Sequence, residues 1–231
     1  MPFAEKYNRV AGSERSISSR IRKHPRSIRD VSLSILGILL FAGFIHQPFP
    51  LLLLAIAGLA GTGAIIAYSI RDLSIPKAFG LDRYTWKVLL YCLPAIALGT
   101  ILGILTRTSF DVSLFPARIT GVALVAPLVG AIEELIFRGY IQGHLHPIGR
   151  IFSVVYASTV HTCYKLLVIL SLSVPLQFDF FFLVAWTFVG GILFGSLREL
   201  SGSTLPPVIA HAVFDVVLYG GLATVPVWVW T

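Results

Sequence analysis

Apolar residues fill this chain in long runs, separated by short polar punctuation. The first run covers Val31 to Ile45 and is short for a full membrane crossing. Gln47-Pro48-Phe49-Pro50 turns it into a second run, Leu51 to Ile70, so the pair predicts a tight helical hairpin. A polar connection with Arg71, Asp72, Pro76, Lys77, Asp82 and Arg83 leads to the third run, Trp86 to Thr106, in which Pro94 predicts a kink. Arg107 to Pro116 reads as a loop. The fourth run, Ile119 to Tyr140, is closed by Gly143 to Pro147. The fifth covers Ile148 to Ser171. Ser173 to Gln177 connects it to the sixth, Phe178 to Leu197, rich in Phe and Gly. Arg198 to Ser203 predicts a polar turn and Thr204 opens the seventh. Beyond Gly220-Gly221, Leu222 to Trp230 reads as a short eighth or an interfacial segment, with Trp228 and Trp230 suited to a headgroup belt.

Recurrent apolar runs of this length predict an all-α, polytopic transmembrane bundle of about seven to eight helices. Composition agrees. Of 231 residues, 56% are hydrophobic and only 13% are charged, too few to coat a soluble core of this size. Mean hydropathy is +0.84. The two cysteines, Cys92 and Cys163, fall inside apolar runs and read as small buried hydrophobes.

The net charge of +7 changes the picture by where it sits. Lys6, Arg9, Arg15, Arg20, Arg22, Lys23, Arg26 and Arg29 crowd the first 30 residues. That segment predicts a basic, mobile tail against an anionic membrane surface, with lipids and not nucleic acid as its partner. Three regions follow: the tail at 1–30, membrane helices at 31–116, and a site-bearing membrane domain at 117–231. With the N-terminus inside, the cytoplasmic loops hold Arg71, Lys77, Arg83, Arg150 and Arg198, and the outer loops only Arg107 and Arg118. An integral, multi-pass protein of the cytoplasmic (plasma) membrane is the expected localisation.

Candidate chemistry stands out because it interrupts apolar runs. An ionisable group at a bilayer centre costs roughly 2.5–3.5 kcal/mol on insertion scales, so it marks function and should have partners. Glu133, Glu134 and Arg138 lie in the fourth run, His161 in the fifth, His211 and Asp215 in the seventh. Glu134 and Arg138 are i, i+4 and predict an ion pair. Glu133 points about 100° away and is left to face a cavity as a general base. A lone histidine on an apolar helix is ordinarily a satisfied core residue; beside these acids, His161 can share a water with Glu133. His211 and Asp215, again i, i+4, either bind a carbonyl and its developing oxyanion or use the aspartate to fix the histidine tautomer. Lys165 reads as a snorkelling residue or a partner of Asp179, without a catalytic role. In the expected topology His161 lies roughly 20 Å and His211 about 10 Å from the cytoplasmic ends of their helices, depths compatible with one cavity.

Glu133-Glu134-x-x-x-Arg138, then a histidine on the next helix, then His211-x-x-x-Asp215, resembles the CPBP family: CAAX proteases and bacteriocin-processing enzymes, also called Abi proteins. The resemblance covers residues 117 to 220. It implies an eight-helix membrane bundle with a cavity open to cytoplasm and lipid. It implies Glu133 as the water-activating glutamate, His161 as its partner, His211 and Asp215 as the oxyanion site, and Glu134 with Arg138 in support. The substrate it implies is a peptide or protein with a membrane anchor or lipid, or a leader peptide.

Two departures bear on this. Ala157, not an aromatic, stands four residues before His161. Asp215 replaces the family's usual asparagine, and a carboxylate cannot donate to an oxyanion. Asp215 is then neutral, orients His211, or binds a cation. No cofactor is expected. Zinc stays open, because Glu133, His161, His211 and Asp215 include ligand types it accepts, although no His-Glu-x-x-His motif is present. The alternatives to an intramembrane endopeptidase are a non-catalytic immunity or scaffold protein and a proton-coupled transporter.

Overall fold

A computed structural model of the chain describes residues 17–110, 112–172 and 179–221. All regular structure among them is helical. The basic positions Lys6, Arg9 and Arg15, the Ser173–Gln177 connection and the Leu222–Trp230 segment lie outside the described residues.

Seven main helices succeed one another. They are α1 (Pro25–Phe44), α2 (Leu52–Ile70), α3 (Trp86–Ser109), α4 (Gly121–Glu134), α5 (Arg150–Leu170), α6 (Phe180–Ser201) and α7 (Leu205–Tyr219). Five of them, against the expected seven to eight, are long and apolar enough to cross a membrane: α1, α2, α3, α5 and α6. The other two differ for local reasons. α7 has only 15 residues. α4 gives way at Leu135 to a π-helix, Leu135–Gln142, which runs on into a short α-turn, Gly143–Leu145.

The helix starts are readable in the sequence. Asp179 caps α6 by accepting from Phe182 N at 3.0 Å, and Thr85 caps α3 by accepting from Val88 N at 3.4 Å. Pro25 sits at the first position of α1, where a missing N–H costs nothing. The first membrane helix therefore begins six residues before the apolar run does. Residues 17–23 are helical too, so this part of the expected tail has regular structure. At the end of α6, Gly202 takes φ +76°, the left-handed conformation that lets the chain leave for α7.

Hydrogen bonds between distant segments bridge the ends of the bundle. At one end Arg20 donates to Ile148 O and Thr204 N donates to Gly80 O. At the other, Gln47 donates to Ser171 O, and the buried Arg107 donates to the carbonyls of Val217, Leu218 and Gly220, closing the C-terminus of α7.

Packing forms three apolar clusters. One joins α1, the π-helix and α5; the second joins α3, α6 and α7; the third joins α4 and α7. Small residues allow close approach. A Cβ on Gly58 of α2 would stand 2.5 Å from Gly37 O of α1, and α3 meets α7 across Gly99 and Ala210. The exterior is apolar: Leu36, Ile56, Leu93, Leu124, Leu128 and Ile151 face outward. Cys163 is also outward, contrary to its expected burial, because it falls on the outer face of α5; Cys92 is half-buried. The interior instead holds Glu133, Glu134, Arg138, Gln142, His161, His211 and Asp215. An apolar outside around a polar inside is the arrangement lipid demands, and the protein is an integral membrane protein.

Candidate active site

The sequence-predicted residues come together from three helices. Glu133 and Glu134 end α4, Arg138 lies in the π-helix, His161 is midway along α5, and His211 and Asp215 are on α7. Gly130, one turn before Glu134, lets α7 in. A Cβ there would stand 2.5 Å from Asp215 Oδ2 and 2.9 Å from His211 Cδ2.

The expected Glu134–Arg138 pair is present, with Nη1 3.1 Å from Oε1 and both groups buried. The same guanidinium nitrogen lies 2.9 Å from His161 Nδ1. An arginine can only donate, so Nδ1 of His161 accepts. Its proton therefore sits on Nε2, which faces Glu133 Oε2 at 3.3 Å. Phe137, stacked on the ring at 4.4 Å between centroids, fixes its plane.

The same reasoning sets His211. Its Nδ1 is 2.9 Å from Glu134 Oε1, and a carboxylate only accepts, so Nδ1 donates. Asp215 does not orient the ring: its Oδ1 is 3.9 Å from Nε2, on the other side of the imidazole. Glu133 Oε2 is also 3.9 Å from that nitrogen. Glu134 thus takes the tautomer-setting role that one of the sequence readings gave to Asp215. The i, i+4 spacing places a carboxylate near the histidine but does not decide which ring nitrogen it meets.

Lys165 is the main surprise. Its Nζ donates to Glu133 Oε1 at 2.6 Å. It pairs with the central carboxylate and not with Asp179, whose side chain caps α6. The one available signal was its position four residues after His161, on the same helical face.

Glu133, Arg138, His161, Lys165, His211 and Asp215 line a cavity of about 550 Å³. Its walls are largely apolar and aromatic, with Phe182, Trp186 and Phe194 from α6 and Phe214 from α7. The residue four before His161, Ala157, is buried away from the cavity, and its neighbour Tyr156 stacks on Phe152. The aromatic surface therefore comes from α6, where the sequence showed a run of phenylalanines without saying which way they face.

No group of three or more His, Cys, Asp or Glu among the described residues is arranged to hold a metal ion. The donor set explains this. Glu133 Oε1 is held by an ammonium, His161 Nδ1 by a guanidinium, and His211 Nδ1 by Glu134.

Residues 115–217 match the family model described as Type II CAAX prenyl endopeptidase Rce1-like. That stretch is similar to the CAAX protease family. It includes all six sequence-predicted site residues and Lys165, together with α4 to α6 and nearly all of α7. No curated protein and no solved structure matches the chain. The family is one of membrane proteases, and its members act on membrane-anchored peptide substrates.

Proposed function

We propose that this chain is an intramembrane endopeptidase that hydrolyses a membrane-anchored peptide with water activated at Glu133. The observation that carries the reading is the convergence of Glu133, His161, His211 and Asp215 on the wall of one largely apolar cavity. The family match over the same stretch supports it.

In this reading Glu133 takes a proton from water as the oxygen attacks the scissile carbonyl. It then passes that proton to the leaving amine nitrogen. His161 does not compete for the proton. Its Nε2 already carries one and its Nδ1 is occupied, so it acts as a neutral donor that holds Glu133 and the water in place. His211 presents Nε2 toward the developing oxyanion and donates there when its ring is doubly protonated. Asp215 and Glu133, each 3.9 Å from that nitrogen, offset its charge. No step here is routed through a metal; Lys165 and Arg138 already hold Glu133 Oε1 and His161 Nδ1.

The aromatic walls suit a lipid chain or apolar residues beside the scissile bond, as a prenylated or leader-bearing peptide would supply. α7 and the continuous helix from α4 through its π-turns lie in the bilayer with the five long helices. Arg20, Lys23, Arg26, Arg71, Lys77, Arg83, Arg150 and Arg198 lie toward one end of the bundle, Arg107 and Arg118 toward the other. By the positive-inside rule the basic end is cytoplasmic, in the plasma membrane with the N-terminus inside.

The test is cleavage by purified protein of one peptide presented with and without a farnesyl chain, compared with Glu133→Gln. Cleavage confined to the lipidated peptide and lost in the variant is expected. Equal cleavage by the variant would overturn the assignment of Glu133.

A further inference from the structure

Lys165 has no part in the steps above, yet its ammonium touches the residue at their centre. It lies four residues after His161 on α5 and lines the same cavity. Its side chain is 17% exposed, against 5% for Glu133 and 1% for Arg138. Arg138 meets Glu134 and His161 through one nitrogen, Nη1, and is fully buried, so it has no room to swing to another partner. The acids lining this cavity are Glu133, Asp215 and Asp179. Among the described lining residues, Lys165 is thus the cation able to change partner, on a flexible four-carbon stem.

In the resting arrangement both oxygens of Glu133 have partners, Lys165 on Oε1 and His161 on Oε2. A negatively charged group entering an apolar cavity loses its hydration and must meet a cation there. We propose that Lys165 is a specificity-determining residue: it leaves Glu133 to bind a carboxylate on the substrate, so that the peptide's own anionic group frees the general base. This deepens the peptidase reading and rests on it. The carboxylate is either the C-terminal group of the peptide or an Asp or Glu side chain near the scissile bond. The ammonium recognises both by the same chemistry, and no covalent step is involved.

Binding separates this inference from the peptidase reading. The probes are three lipidated peptides with a reduced, uncleavable scissile bond: one ending in a free carboxylate, one in an amide, and one in an amide with an internal Glu. Anisotropy is read with the full chain in detergent. The wild type is expected to bind the free acid about tenfold or more tightly than the plain amide. Lys165→Met should bring the two within about twofold, and Lys165→Arg, which keeps the charge, should retain the preference. The internal-Glu peptide assigns the source: matching the free acid points to a side-chain carboxylate, matching the amide to the C-terminus. Equal binding of acid and amide by the wild type, an unchanged preference in Lys165→Met, or no binding of any peptide would overturn the inference. Melting curves of both variants guard against unfolding. The cleavable free-acid peptide tests the parent reading separately. Cleavage without a binding preference sinks the role of Lys165 alone. A preference without cleavage sinks the peptidase and leaves the carboxylate site standing.

Discussion

Arg138 does two jobs from one guanidinium: it neutralises Glu134 and fixes the proton of His161 on Nε2. A lysine keeps the charge but loses the planar, always protonated fork. Arg138→Lys is therefore expected to lower kcat by about 10²-fold, with a smaller change in KM, because the histidine and Glu133 lose their alignment. Steady-state kinetics on a lipidated peptide check this. Glu133→Gln should cost at least about 10³-fold while leaving the fold intact, since amide and carboxylate have the same shape. At this scale the sequence was informative. Ionisable residues inside apolar runs are conspicuous because they are costly. Glu133, Arg138, His161, His211 and Asp215 line one cavity, and Glu134 lies behind them, bonded to Arg138 and His211. Lys165 was not legible, because a lysine on an apolar helix usually reaches for the interface. The partner of His211 was not legible either, since ring orientation depends on α4, far away in the chain.

At the scale of elements, the site depends on how closely α7 approaches α4. Gly130 sets that distance. Gly130→Ala is expected to push α7 outward, so activity should fall by about tenfold or more while the far-ultraviolet helical signal is unchanged. Arg107 fastens α7 at its other end. Arg107→Met would leave three carbonyls without their donor and should cost about 2–3 kcal/mol, read as a lower melting temperature in detergent. Helix positions were largely legible from hydropathy, because each run must satisfy its backbone internally in lipid. The π-helix at Leu135–Gln142 was not. A run of apolar residues does not report whether its backbone bonds to i+4 or i+5, so the shift directly after the Glu pair left no mark in the hydropathy.

The whole molecule is a bundle with an apolar exterior, a charged interior and a strong difference in basic residues between its ends. The proposed orientation rests on that difference and can be tested directly. With Cys92 and Cys163 replaced, single cysteines at Lys77 or Arg150 should react with an impermeant maleimide only in inside-out vesicles, and one at Ser113 only in intact cells. The reverse pattern would invert the topology. The class of fold was legible because composition alone excludes a soluble core. The cavity was legible only as a convergence of depths, since its aromatic wall depends on how α6 is rotated against α5. In the proposed reading this convergence of acids and histidines hydrolyses peptide bonds. Its most direct test compares membrane peptidomes of cells carrying the wild-type chain or Glu133→Gln at matched expression. Cleavage products present only with the wild type are expected; identical peptidomes, with both proteins folded and abundant, would contradict a protease.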